Sequence, residues 1–391
     1  MSACEHLAFS SLRLRPIAFT PDRCMPPCDT ATCVNAPDCS SRKVHGTNEL
    51  SLGQISLDGS TPRESRASRP LFIARGCTLG RQLRKSIFHE DWWLNALAPG
   101  RWREVTCLRG GHVAGYLRFV ECRKRSLTIC RMPQITRFLG PVVTPQPGKA
   151  QARTRATYSI ITELLEQIAR YDHVEMTVDT DFVDLAAFLA AGYQIKVHPT
   201  FLLDCKQELK HLWAGLRDKT KNVIRRAREQ LTVCDIHDVN LFTNFYERNL
   251  EGEESYFDLS FLASAYAAAH ARQQGKIVAA VDSSGVVHAK VFFIWDDKYF
   301  HYFLSTRDKN VAHLGAVSLL VWTGIELAHS RDLCFDFDGG IFNDAKYKFM
   351  VAFGGEVANR FEIERSTPLY QVQRTVRRMP RALMRSILPS R

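Results

Sequence analysis

The chain has 391 residues, 45% of them hydrophobic, and a formal net charge of +11 at pH 7. That length and apolar content suffice for two folded domains and exclude a wholly disordered or fibrous polypeptide. No apolar run approaches the roughly 20 residues that a membrane-spanning helix needs, and the positive balance favours anionic partners such as phosphates, nucleic acid or an acidic membrane surface.

Residues 1–70 show no sustained period and are rich in Pro, Ser and Thr, which predicts a disordered or mis-set N-terminal extension. Cys24, Cys28, Cys33 and Cys39 are four sulfurs of the kind zinc takes. Their spacings are irregular and Pro26, Pro27 and Pro37 interleave, so no metal site is expected. Arg13, Arg15 and Pro16 interrupt the apolar patch near the start, which argues against a secretory signal and for the cytoplasm. Cys77, Cys107, Cys122, Cys130, Cys205, Cys234 and Cys334 then read as reduced core thiols.

A first α/β unit is expected over 86–205. A short helix after Phe88 stops at Pro99-Gly100, with Trp92 and Trp93 as core anchors. A hairpin around Gly110-Gly111 and a third strand follow. Residues 158–172 carry a helical apolar stripe, and 173–179 return to strand. A further helix ends at Gly192, and another strand closes the unit.

The second unit, 206–364, opens with a basic segment. Leu209, Leu212, Trp213 and Leu216, then Val223, Ile224, Ala227 and Leu231, mark helical faces. Arg217, Lys219, Lys221, Arg225, Arg226 and Arg228 form either a solvated face or an anion-binding one. Two helices follow, with Glu253, Glu254, Tyr256 and Phe257 in the break between them. Residues 276–295 are two β-rich runs joined by Asp282-Ser283-Ser284-Gly285, a hairpin turn. Residues 298–305 add an aromatic strand, 315–331 a helix, and 333–340 a strand ending in paired glycines. A helix between the last two strands makes a crossover, so those strands should be parallel neighbours. Hairpin, strand, helix, strand, helix, strand thus occurs twice, which predicts an α/β (α+β) chain of two stacked copies.

Residues 365–391 turn strongly basic. Arg374, Arg377, Arg378, Arg381 and Arg385 alternate with Leu369, Val372, Val376, Met379, Leu383 and Ile387, and Pro380 interrupts the pattern. The tail reads as a terminal helix docked on the core, or as a segment in peripheral contact with an anionic membrane or RNA.

Asp336 and Asp338 are the best catalytic candidates. Alternation puts both on one strand face, opposite Phe335 and Phe337. Close like charges would raise one pKa into the range of a general base. The alternative has Asp338 capping the next loop and Asp336 pairing with Lys346 or Lys348. On the preceding strand His301 and Tyr302 alternate, so one should face the cleft as base or leaving-group acid, unless the histidine is simply a core residue. The chain has no Ser/His/Asp order, Walker loop or HExxH.

Asp336-Phe337-Asp338-Gly339-Gly340, followed by Phe349-Met350-Val351-Ala352-Phe353-Gly354-Gly355-Glu356, resembles the GNAT acyltransferases, more narrowly the bacterial Fem-type and CelD-like branch. That branch often has lysine where Met350 stands, with Lys346 and Lys348 nearby here. The resemblance implies tandem GNAT-like domains, each a mixed twisted sheet flanked by helices; the first copy, which lacks an acidic pair like Asp336 and Asp338, reads as a scaffold half. It implies that the strands carrying His301 and Asp336 part to hold a donor, and that the helix opening near His313 aims its amides at donor phosphates. Asn310-Val311-Ala312-His313-Leu314-Gly315 is the best register for the CoA loop, with Asn310 and His313 where the family prefers other residues. Both acyl-CoA and aminoacyl-tRNA therefore stay open as donors. Lys221, Arg225, His313, Gly315 and Lys348 are the anion-binding candidates. The implied activity is N- or O-acyl transfer to a phosphate-bearing envelope, polysaccharide or lipid precursor. The alternative is a non-catalytic module of the same fold that binds RNA or a membrane. Oligomeric state is not indicated.

Overall fold

Local chemistry sets the elements. The computed structural model describes residues 86–182, 184–250, 255, 257–338 and 343–378. The expectations for residues 1–70 with their four cysteines, for Cys77, for Glu253, Glu254 and Tyr256, for Gly339-Gly340 and for the tail beyond Arg378 lie outside the described residues.

The first unit comprises α1 (Asp91–Leu97), β1 (Trp102–Arg109), β2 (His112–Lys124), β3 (Leu127–Arg131), β4 (Val142–Val143), α2 (Ala150–Gln167), β5 (His173–Val178), α3 (Ala186–Ala190) and β6 (Gln194–Asp204). The basic segment splits into α4 (Leu209–Gly215) and α5 (Asp218–Gln230). Then come β7 (Leu231–Ile236), α6 (Val239–Arg248), α7 (Leu259–His270), β8 (Gly275–Asp282), β9 (Val287–Trp295), β10 (Tyr299–Arg307), α8 (Ala316–His329), β11 (Cys334–Asp336), α9 (Asp344–Val351), β12 (Glu356–Ser366) and α10 (Pro368–Arg378). Asp238, Asp258 and Asn343 cap α6, α7 and α9 by accepting a backbone N–H with their side chains. The β8–β9 turn is tied by Asp282, whose carboxylate accepts from Ser284 N at 2.9 Å and Val286 N at 3.0 Å.

The two copies share one sheet. Its order is β1-β2-β3-β5-β12-β6-β11-β10-β9-β8-β7, with β4 beside β2. Each copy has a parallel pair joined by a helix, β3/β5 through α2 and β10/β11 through α8. The copies exchange their last strands: β6 pairs with β11, β12 pairs with β5, and β6 and β12 pair with each other. The mixed, helix-flanked tandem architecture is therefore as expected, but its middle is a strand exchange that repeat counting does not reveal.

Burial follows alternation. On β9, Val291 and Phe293 face α5 and α8, while Phe292 and Ile294 face α1 and α7. α8 buries Leu319, Leu320, Trp322 and Ile325, each worth about 1.5–3 kcal/mol on transfer from water. Trp93 is a core anchor as expected, fully buried with its indole N–H donating to Thr136 Oγ1 at 3.0 Å. The cysteine reading needs one correction: Cys234 is exposed, because β7 is an edge strand. Among the described residues no helix is long and apolar enough to cross a membrane, and no His/Cys/Asp/Glu group could hold a metal ion.

Candidate functional site

β10 and β11 stay paired for three residues only, Tyr299 with Cys334, Phe300 with Phe335 and His301 with Asp336. Beyond that they follow different partners. β10 keeps to β9 as far as Arg307, with Phe303 as the extra residue of a bulge between Tyr302 and Leu304. The chain after β11 keeps to β6, through Phe337 N donating to Phe201 O at 3.0 Å. Asp338 then turns it away with a left-handed φ of 51°. The result is a fork whose floor is the His301–Asp336 pair.

The floor is a buried charge network. Asp336 has no exposed surface and accepts four hydrogen bonds: from Thr200 Oγ1 at 2.8 Å, Asp338 N at 2.9 Å, His301 Nδ1 at 3.1 Å, and Arg360 Nη2. Burial alone would raise its pKa. The Arg360 guanidinium, helped by His301 and the Asp338 amide, outweighs burial and holds the carboxyl well below the usual carboxylate range. Arg360 also donates to Asp338 Oδ1 at 3.1 Å, and its Nε lies 3.9 Å from Asp179 Oδ1 at the end of β5. A second guanidinium enters from the first copy: Arg137 pairs with Asp338, donates to the bulge carbonyl of Phe303, and stacks over the Phe303 ring at 4.6 Å. The His301 ring sits among Phe88, Tyr299 and Phe138, with centroids 5.2, 5.7 and 6.2 Å away. Its Nε2 is buried with no hydrogen-bond partner among the described residues.

The sequence-derived candidates divide accordingly. Asp336, Asp338 and His301 come together. The expected rise of one aspartate pKa is corrected at Asp336, whose carboxyl is lowered because Arg360 lies between the two acids. Tyr302 points to the opposite face, with ring centroids 6.2 Å from Phe293 and 6.5 Å from Phe335, and burial pushes its hydroxyl up to about 12. Gly315 caps α8 with φ 81°, and a Cβ there would come within 2.5 Å of Val223. It serves close packing of α5 on α8 as well as the turn. His313 is exposed on the loop before it. Lys221 closes the end of α4, donating to Ala214 O at 3.0 Å and Asp218 Oδ1 at 3.2 Å. Arg225 is exposed and lies over the Trp213 ring at 5.5 Å. Lys348 is exposed and pairs with Asp344, so the alternative in which a lysine of α9 neutralises Asp336 gives way to Arg360. Sequence reasoning missed Arg360, Arg137 and Thr200. Arg360, one of two arginines with Arg365 on the alternating strand 356–366, was the available signal.

The first copy has the same fork, filled by its own chain. β3 and β5 pair for three residues. Residues 132–140 then lie along β5, with Leu139 N donating to Thr177 O at 2.9 Å and Gly140 so close that a Cβ would meet Val178 at 2.6 Å. A small cleft remains at its mouth, lined among others by His89, Gly140, Asp179, Lys298 and Tyr299. Burial raises the Asp179 pKa against the pull of Arg360 and Lys298. Asp179 thus connects this cleft to the floor of the second fork.

Residues 214–348, which run from α4 into α9 and include the whole open fork, match the family model described as an acetyltransferase (GNAT) domain. The chain carries a GNAT acyltransferase domain. The solved structure of FemX is similar at 13% identity, covering 75% of this chain and 96% of that one with a TM-score of 0.58, so the likeness in fold extends beyond the GNAT domain itself. Lower similarity is found to the C-terminal domain of a putative lysylphosphatidylglycerol synthetase from Agrobacterium fabrum, at 12% identity, 74% and 92% coverage and a TM-score of 0.46. A tandem GNAT protein from the clavulanic acid biosynthesis pathway matches at 12% identity, 70% and 86% coverage and a TM-score of 0.44. No curated protein matches the chain. Within the GNAT domain, the open fork and the start of α8 lie together, whereas the first copy's fork is occupied.

Proposed function

We propose that this acyltransferase moves an acyl or aminoacyl group onto an amine or hydroxyl of a phosphate-bearing envelope, polysaccharide or lipid precursor. The observation that carries the reading is the open fork between β10 and β11 inside the GNAT domain. Donors consistent with it are acyl-CoA and aminoacyl-tRNA, the latter following from the Fem-type resemblance.

In this account the donor carbonyl lies between the parted strands, against backbone that β10 no longer shares with β11. The acceptor lone pair attacks the carbonyl carbon. A C–N or C–O bond forms, and the C–S bond of a thioester or the C–O bond of a tRNA ester breaks. His301 is the proton acceptor: Asp336, held ionised, accepts a hydrogen bond from Nδ1–H, so that the Nε2 lone pair takes the proton. Asp338 and Arg360 are positioning residues that fix Asp336. Tyr302, protonated at neutral pH because its pKa is about 12, supplies the proton to the leaving atom. The α8 amides, with His313 and Arg225, face donor or acceptor phosphates.

Ligand-induced thermal shift separates the donors. The full chain is heated with acetyl-CoA, longer acyl-CoAs, or charged and uncharged tRNA. A rise in melting temperature with one donor class, reduced by filling the fork with Ser305→Trp, supports the reading. No shift with any donor would remove it.

A further inference from the structure

We propose that α10 docks the protein on an anionic lipid surface. One side of the helix is committed to the body. Its first turn is tied through Thr367 N donating to Asp172 O at 2.8 Å, the Tyr370 ring stacks on His173 with centroids 4.1 Å apart, and Arg374 pairs with Glu364 at 2.7 Å. The other side carries Leu369, Val372 and Val376, exposed by 55%, 60% and 42%. At about 100° per residue these three fall on one stripe, roughly opposite Tyr370 and Arg374. A short helix that leaves three aliphatic side chains in water, when the other exposed large apolar side chains among the described residues lie singly or in pairs such as Leu108 with Val113, presents a face built for hydrocarbon.

Charge chooses the occupant. From Arg365 to Arg391 the sequence has seven arginines, of which Arg365 and Arg374 are held by the body, and neither aspartate nor glutamate. A second copy of the same segment would meet like charge. RNA would satisfy the arginines but offer nothing to the aliphatic stripe. A bilayer containing anionic lipid satisfies both, with acyl chains for Leu369, Val372 and Val376 and headgroup phosphates for the other five arginines of the segment. The inference deepens the proposed function, since a lipid-borne precursor would lie in that same surface. It rests on the helix and not on the fork.

The test is co-sedimentation of the full chain with vesicles of phosphatidylcholine alone and of phosphatidylcholine with about one-third phosphatidylglycerol, beside binding of a single-stranded RNA. The comparison protein carries Leu369→Ser, Val372→Ser and Val376→Ser, exposed positions whose change leaves the melting temperature in place. Binding to the anionic vesicles, weakened by salt and at least about tenfold by the triple substitution, supports the proposal. Equal binding by both proteins, binding to neither vesicle, or preference for RNA over anionic vesicles at the same salt overturns it. Donor-induced thermal shift is measured on the same triple variant. It stays intact if only the docking inference fails, and is absent in both proteins if the acyl-transfer reading fails.

Discussion

Replacing Arg360 by methionine tests the charge network directly. Arg360 is 4% exposed and is the cation shared by Asp336 and Asp338. Methionine keeps most of the stem volume and removes the guanidinium. Asp338 retains Arg137, but Asp336 keeps only His301, Thr200 and one backbone amide against full burial. Removing one partner of a buried ion pair costs about 3–5 kcal/mol, so the variant should lose about that much at pH 7, read as a shift in the guanidinium unfolding midpoint at unchanged slope. The pH dependence carries the sign. In the native protein the folded Asp336 pKa is depressed, so its stabilisation is present above the unfolded value of about 3.9 and fades as pH falls through the lower folded value. In Arg360→Met burial dominates and the folded pKa lies above about 3.9. The cost is then largest at neutral pH and shrinks as the carboxyl protonates on acidification. A loss under about 1 kcal/mol, or one that stays constant between pH 7 and 4.5, would refute the reasoning.

Three further outcomes follow from single contacts. Gly315→Ala forces a Cβ into a left-handed residue and against Val223, which should cost about 2 kcal/mol or more and weaken donor-induced thermal shift; Val223→Ala in the same chain should recover part of the stability. Thr200→Val leaves one oxygen of the buried Asp336 short of a donor and should cost about 1–3 kcal/mol in the same unfolding measurement. Tyr302→Phe should lower kcat by about 10²–10⁴ with KM little changed in a single-turnover assay on whichever donor binds, and unchanged turnover would take the leaving-group role from it.

The parts of this site that sequence exposes are those set by local periodicity. The strand-helix-strand crossover places His301 beside Asp336 whatever lies around them, because parallel pairing follows from the connection. The repeat was readable for the same reason. Arg360 was not, since its partners depend on β12 inserting between β5 and β6, and that exchange is decided by pairing between strands far apart in the chain, such as Phe361 with Val178 and Glu356 with Leu202. Arg137 was hidden in the same way: it lies in a loop of one copy and acts in the fork of the other. The basic segment shows the reverse failure. Lys221 and Lys348 carry charge in the right region, yet short-range partners at Asp218 and Asp344 engage them, which a charge pattern alone does not disclose. Alternation put Asp336 and Asp338 on one strand face, whereas β11 ends at Asp336 and a left-handed turn at Asp338 brings the two to Arg360. Counting like charges misjudged the pKa of Asp336, because the cation between them comes from a distant strand.

The central claim is that an activated carbonyl compound enters between β10 and β11. Amide hydrogen exchange of the full chain, with and without the donor that raises its melting temperature, reads this by position. The account predicts slower exchange at Tyr302–Arg307 and at the first turn of α8, with the occupied fork around Thr177 unchanged. Protection confined to the first copy, or none at either strand of the open fork, would contradict it.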